Sequence, residues 1–428
     1  MLNKLKQQEQ GDVTPSLFGK GSGIAALIAI YVFFGFAQAA NEYRVMFLES
    51  QGLTATQCGQ ILAASGLLCA VSRPLAGALA DKLRSRRIVY IGTVAAWIVV
   101  MILTILLQNV RLAGFVLCAG IVPLISVCEP VTYGMIESSG VTATLRYPKL
   151  DFSLIRVCLS IGYSAINFMY TPIVNKFGPT APFYCTAVFA AVMLIFSGAM
   201  RKFESEPTQS DGKPAAGGKL EFKRLFQNYY LMAFVLLNFI GALGSNATQG
   251  YLFYLLQEVN LDTSLVGIVT GIRVVGEVII MPFVPMMKKK ISLPMMCALS
   301  SVFCMLQLVL YLLCHNPVVI IAGAVLNGFS VGISLGSTAV YLRMMAPKGL
   351  DTTTLSLSTV MFSFGFILIN LVGGMVVDQA GVFALYRLSI LFQVIWFVLY
   401  FGSWAFGVYV LKKKPPMPMF LRNKKASQ

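Results

Sequence analysis

The chain has 428 residues, 57% of them hydrophobic and only 12% charged, with a formal net charge of +16 and a mean hydropathy of +0.76. A soluble protein carries about a quarter charged residues, so a water-soluble globular fold is excluded and repeated passage through a bilayer is implied. The positive surplus lies between apolar runs, where anionic lipid accounts for it without nucleic acid.

Twelve apolar runs follow a polar lead (1–21). They cover 22–47, 57–79, 88–108, 112–135, 153–174, 181–199, 228–256, 263–287, 294–314, 318–342, 355–377 and 383–411. Each is long enough to cross a hydrocarbon core of about 30 Å as a helix. No small-residue cleavage site precedes the first run, which therefore reads as a retained helix rather than a signal peptide. Of the 33 Lys and Arg, all but Arg44, Arg73, Arg111, Arg156, Lys176, Arg273 and Arg387 fall in the two tails or in connections after even-numbered runs. The positive-inside rule puts that side in the cytoplasm. The expectation is a multi-pass protein of the cell (inner or plasma) membrane with both termini cytoplasmic.

In the first run, "AANEYR" (39–44) carries Glu42 and Arg44, two apart and so on different helix faces; Glu42 is a proton or substrate candidate. The fourth run holds Glu129 in "VPLISVCEPVTYGM", and the fifth holds Arg156 in "FSLIRVCLSIGY" (152–163). These two are expected to pair across adjacent antiparallel helices. Arg73, near the inner end of the second run, reads as a snorkelling residue.

The polar interval "RKFESEPTQSDGKPAAGGKLEFKR" opens a cytoplasmic linker (201–227), which separates a six-helix bundle at 22–200 from a second at 228–411. A basic tail (412–428) ends the chain.

The seventh run carries Asn238, Asn246 and Gln249, and the eleventh carries Asn370. These are amides that suit hydroxyl-rich ligands or join helices. In the eighth run, "TGIRVVGEVIIMP" (270–282) places Arg273 and Glu277 four apart on one face, where they are expected to pair. Ionised groups in a membrane interior are functional candidates by default. In the tenth run Gly328, Gly332 and Gly336 form a small-residue stripe for close helix contact. The nine Cys show no C-x-x-C, and the single His315 sits in a loop beside "NP". No metal site, nucleotide motif or nucleophile–base pattern emerges, so neither an enzyme nor an ATP-driven pump is expected.

The halves echo each other. "LESQGLTATQCG" (48–59) and "LQEVNLDTSLVG" (256–267) share L-x-x-x-[GN]-L-[TD]-x-[TS]-x-x-G, shifted by 208 residues (48 to 256). "NKFGPTAPF" (175–183) and "DQAGVFALY" (378–386) correspond with a shift of 203 (175 to 378). Duplicated six-helix halves fit a parallel-repeat transporter with a cavity near the midplane.

The connection "GALADKLRSRR" (77–87) resembles the signature loop of the major facilitator superfamily, G-x-x-x-D-[RK]-x-G-[RK]-[RK]. Gly77, Asp81 and Lys82 match in place; Arg84 stands where the family has its second glycine, and Arg86 and Arg87 come one residue late. A finer resemblance, along most of the chain, is to the branch of phenylpropionate, lactose and nucleoside permeases, carried by Glu129, Arg156, Ser160, Ile161, Gly162 and Glu277. Asn327 and Ser330 fall where lactose permease has its titratable pair on the tenth helix.

The resemblance implies an all-α membrane protein of 12 transmembrane helices, two six-helix pseudo-repeats around a central cavity. It implies a gating role for the 77–87 loop and a secondary active transporter working by alternating access. Proton-coupled symport of a small polar organic solute, such as a sugar or oligosaccharide, an aromatic acid or a nucleoside, is the expected activity. A proton-driven exporter and a non-transporting receptor or assembly factor are the alternatives. The expected site is Glu42, Glu129, Arg156, Arg273, Glu277, Asn246, Gln249 and Asn327, without a cofactor or metal. The proton gradient would supply the energy and a monomer would suffice.

Overall fold

The structure, a computed structural model, describes residues 23–112, 115–147, 152–203, 225–313, 316–347 and 350–419. The elements are α1 (Ile24–Ser50), α2 (Ala55–Leu83), α3 (Arg86–Leu106), α4 (Leu117–Arg146), α5 (Phe152–Phe177), α6 (Ala181–Ile195), α7 (Tyr229–Glu258), α8 (Thr263–Lys290), α9 (Leu293–Leu312) and α10 (Pro317–Met345). A final element, Asp351–Ala405, is broken at Gly381 (φ 78°) into α11 (351–380) and α12 (382–405). At 1.5 Å per residue its 55 residues far exceed one hydrocarbon thickness, so a reversal at a glycine in left-handed geometry is required. Every predicted run falls on a described helix, and among the described residues ten helical elements, with α11 and α12 counted as one and the shorter α6 left out, are long and apolar enough to cross a membrane.

One boundary differs. Run four was expected from residue 112, but Arg111–Leu112 pairs with Phe115–Val116 as a two-residue antiparallel ladder, β1 and β2. α4 starts only at Leu117 and extends past the apolar run to Arg146. Apolarity sets where lipid can be met; hydrogen bonding sets where the helix ends. The predicted linker lies mostly outside the described residues, as do His315 and most of both tails.

Side-chain caps fix the helix starts: Thr54 with Gln57 in a capping box, Ser85, Asn228, Ser292 and Asn316. Each accepts a hydrogen bond from an otherwise orphaned N–H. α2 ends at Arg84, a non-glycine residue in the left-handed region (φ 49°). This is the position of the missing signature glycine.

The repeat is visible in backbone geometry. Gly52 and Asn260 occupy corresponding positions with φ of 84° and 54°, and Gly178 and Gly381 correspond with φ of 81° and 78°. Thr54 and Asp262 are corresponding N-caps of α2 and α8.

The correspondence extends to packing. Gly59 of α2 lies against the Asn370 carbonyl of α11 and the hydroxyl of Tyr251; Gly267 of α8 lies against the Asn167 carbonyl of α5 and the hydroxyl of Tyr43. Each member of one triad maps to the other by the same two shifts of 208 and 203 (59 to 267, 43 to 251, 167 to 370). A Cβ on either glycine would strike backbone, so the helices meet there because the residue has no side chain.

These triads lie towards the end of the bundle remote from the chain termini, the distal end. Two latches sit beyond them. Asp378 at the end of α11 accepts from the backbone N–H groups of Ala55 (3.0 Å) and Thr56 (2.7 Å) at the start of α2, a carboxylate at a helix N-terminus. In the corresponding place Asn175 of α5 donates to Asp262 (2.9 Å). Burial pushes the Asp262 carboxyl up, but the bonds from Asn175 and Ser264 outweigh it and hold it below the usual carboxylate range. Tyr43 and Thr171 both donate to the Ser264 carbonyl (3.3 and 3.0 Å). Apolar contacts complete the closure, with Val45, Ala55 and Leu62 joining the core of the second half and Val274 joining that of the first.

Candidate functional site

Below the distal closure, towards the termini, lies a cavity of about 350 Å³ lined by Gln38, Glu42, Arg73, Glu129, Tyr133, Arg156, Ser160, Tyr163, Gln249, Arg273 and Glu277, with apolar neighbours. Local backbone features aim these groups. α1 tightens into a 3₁₀ stretch at Ala39–Tyr43, a device common at functional hinges, and this turns Asn41 and Glu42. Pro130, immediately after Glu129, removes an N–H from the α4 ladder. In α8, Arg273 and Glu277 are pressed against α10: Gly328 and Gly332 of the stripe meet the backbone of Arg273, Gly276 and Glu277. The stripe therefore sets how far the α8 charges can stand from α10.

The ionic partners differ from those expected. Arg273 pairs across the two halves with Glu42 (3.8 Å), both side chains 18% exposed, and Tyr163 of α5 donates to the same carboxylate at 2.5 Å. Glu277 makes no hydrogen bond or ion pair within 4.0 Å among the described residues; Arg273 and Arg156 act on it at longer range. The i, i+4 spacing allowed a pair along α8, but a carboxylate and a phenol facing Arg273 from α1 and α5 compete better.

Glu129 does not pair with Arg156. It accepts from Asn41 of α1, and its principal cation is Arg44, which donates to Ser126 (2.8 Å). Depth explains the difference. At ~1.5 Å per residue Glu129 stands about 25 Å from the Arg146 end of α4, whereas Arg156 stands about 6 Å from the Phe152 start of α5.

A second lobe of about 340 Å³ lies within the later half, lined by polar but uncharged groups. These are Asn238, Ser245, Asn246 and Gln249 of α7, Ser300 and Ser301 of α9, Asn327, Ser330, Ser334 and Thr338 of α10, and Gln393 of α12, with Phe234, Phe362 and Trp396 as aromatic walls. Gln249 borders both lobes. Asn327 is 4% exposed and donates to Gln307 at 2.6 Å.

All eight expected binding candidates therefore border one lobe or the other. The 77–87 loop borders neither. Asp81 and Lys82 are exposed at the end of α2, Gly77 has open space around it, Arg87 is half-buried and Arg86 donates to Thr142 of α4 (3.2 Å). Sequence reasoning missed Gln38, Asn41 and Tyr163. The repeat held the signal for the first two, because Gln38 and Asn41 correspond to Asn246 and Gln249 by the 208-residue shift.

A bundle of long apolar helices duplicated about a polar central cavity defines a multi-pass membrane transporter rather than an enzyme. The chain belongs to the MFS_1 like family, whose model matches residues 25–388. Its fold is similar to that of the nucleoside transporter NupG, with a TM-score of 0.74 at 17% identity for a point mutant, covering 90% of this chain and 99% of that one. The NupG structure without the mutation gives 0.71 at 16%, covering 91% and 100%. An auto-inhibited peptide transporter of the POT family gives 0.68 at 13%, covering 92% and 97%. No curated protein matches the sequence.

Proposed function

We propose that the protein is a proton-coupled symporter of a small polar organic solute, working by alternating access in the cell membrane with its termini in the cytoplasm. The distal end is then the outer one, and the closed distal triads and latches correspond to an inward-facing state. The observation that carries the reading is the Glu42–Arg273 pair with Tyr163, which ties the two halves together inside the cavity, beside Glu277, whose carboxylate has no close partner among the described residues.

In this mechanism Glu277 exchanges a proton with the cavity. Arg273 is paired with Glu42 and acts on Glu277 only at longer range, so protonation of Glu42 would release the arginine to Glu277. A solute engaging Arg273 or Arg156 would alter that competition, and breaking the Glu42 contact would free the halves to rock. Similarity to nucleoside and peptide transporters supports an organic solute.

The test is external pH in a lightly buffered, de-energised suspension of cells expressing the protein, with sugars, nucleosides and aromatic acids added in turn. Alkalinisation by one class, absent in Glu277→Gln, is the expected result. A transported solute that moves no protons in the wild type would sink the coupling scheme.

A further inference from the structure

The two lobes share Gln249 and differ in chemistry, and that difference constrains the solute. The charged lobe is lined by Glu42, Glu129 and Glu277 together with Arg73, Arg156 and Arg273, with Arg44 acting on Glu129 from behind the wall. The other lobe has no ionisable carboxylate or cation in its wall, so an ionic group there would be desolvated without a counter-charge.

Its amides are also biased. The Asn246 nitrogen is engaged by the carbonyl of Ala242 on its own helix (2.9 Å), and the Asn327 nitrogen by Gln307 (2.6 Å). The Asn327 Oδ1 is buried and without a hydrogen-bond partner among the described residues. Ser300 and Ser330 are tied to each other (3.2 Å) and to each other's carbonyls, and Ser301 to Gln393 (2.8 Å). Each of these nitrogens keeps one N–H, but the carbonyl oxygens of Asn246 and Asn327 have no partner at all among the described residues and can only accept. Trp396, stacked on Tyr400 (4.8 Å, 9°), adds a rigid flat wall.

We propose that this lobe is a subsite for an uncharged ring bearing hydroxyl or N–H donors. The solute is then two-part, its neutral donor-bearing ring against Asn246, Asn327 and Trp396 and the rest of it reaching past Gln249 into the charged lobe. This deepens the transport reading and rests on it. A buried acceptor left unmatched costs binding more than a formed bond gains, so the lobe selects against solutes without such donors.

The experiment uses the full-length chain purified in detergent. Tryptophan fluorescence and thermal unfolding are followed during titration with uridine, sucrose and dialanine, a zwitterion that lacks the ring. Uridine or sucrose is expected to bind and dialanine not. Asn327→Ala and Asn246→Ala are each expected to weaken the bound ring about 10-fold. Asn246→Ala leaves the Gln307 contact intact, so a loss there is not a packing artefact at Asn327. The inference is overturned if only dialanine binds, if neither ring compound binds a chain that unfolds cooperatively, or if both variants bind a ring compound as tightly as wild type. Uptake by reconstituted vesicles separates the two failures: dialanine entry with no ring binding removes the subsite and keeps the transporter, whereas no entry of any probe counts against transport itself.

Discussion

The two halves agree at the distal end and disagree in the middle. At the distal end corresponding residues do corresponding jobs: Gly52 with Asn260, Thr54 with Asp262, Gly59 with Gly267, Tyr43 with Tyr251, Asn167 with Asn370. Around the cavity the correspondence holds for two amide pairs, Gln38 with Asn246 and Asn41 with Gln249, and fails for the charges. Arg273 and Glu277 of α8 map to Ser65 and Cys69 of α2, Glu42 maps to Gly250, and Arg156 maps to Thr359. Closing one end of a pseudo-symmetric bundle asks the same steric task of both halves, so one solution serves twice. Binding the two-part solute proposed above would ask different tasks of the two halves, and the charges are where they diverge.

The largest expected break comes from the cavity. Arg273→Ala strands Glu42 and Tyr163 without their cation, which should destabilise the fold on the order of 3 kcal/mol and abolish uptake. Its counterpart Ser65→Ala removes a hydroxyl that donates within its own helix, to Ile61 at 2.8 Å, and should cost about 0.5 kcal/mol. Thermal melts and vesicle uptake of the two variants compare the halves directly; equal damage would mean that the charge asymmetry is incidental.

Next is the shared closure. Gly267→Val and Gly59→Val should each wedge the distal end apart, whichever half carries the change. Cys58, fully buried beside Gly59, reports it: labelling by an impermeant maleimide should rise at least ~10-fold in both, since a rigid interface cannot absorb an added branch. A rise in one variant alone would break the equivalence of the triads.

A smaller contrast separates the latches. Asp378→Asn loses a charge from a helix N-terminus and should raise Cys58 labelling about threefold, whereas Asn175→Ala, which removes a single exposed hydrogen bond, should raise it less. Acidification sharpens the comparison. A carboxylate held below its ordinary value stabilises above that value and loses the contribution as pH falls through the folded-state one. The Asp262 latch should therefore stay closed through neutral and mildly acidic pH and weaken only below the usual Asp range, about 3.9. Labelling normalised to the unfolded chain, followed down in pH with and without Asn175, reads this out.

Smallest is Arg84→Gly at the end of α2. Relieving a left-handed non-glycine residue should stabilise by about 0.5–1 kcal/mol, seen as a higher melting temperature with uptake unchanged. A lower melting temperature would show that the Arg84 side chain contributes more than its backbone geometry costs.

Much of this was legible in the chain. The apolar runs located every helix because a bilayer demands about 20 apolar residues per crossing, and the two echoes located the duplication. Charges inside apolar runs identified Glu42, Glu129, Arg156, Arg273 and Glu277, since burying them is costly enough to require a reason. Their partners were not legible. Spacing along one helix suggested Arg273 with Glu277, and adjacency suggested Glu129 with Arg156; both neglected residues on other helices at the same depth.

The sequence by itself determined the number and order of apolar runs, the repeat and the identity of the costly charges, because each depends on local composition and on distance along the chain. Only the tertiary structure decided which charges meet, which amide oxygens are left as acceptors, and which glycines bring helices together. Those depend on depth and rotation of helices far apart in the chain, fixed by packing at contacts such as Gly59 with Asn370 and Gly328 with Arg273, where a single added carbon would change them.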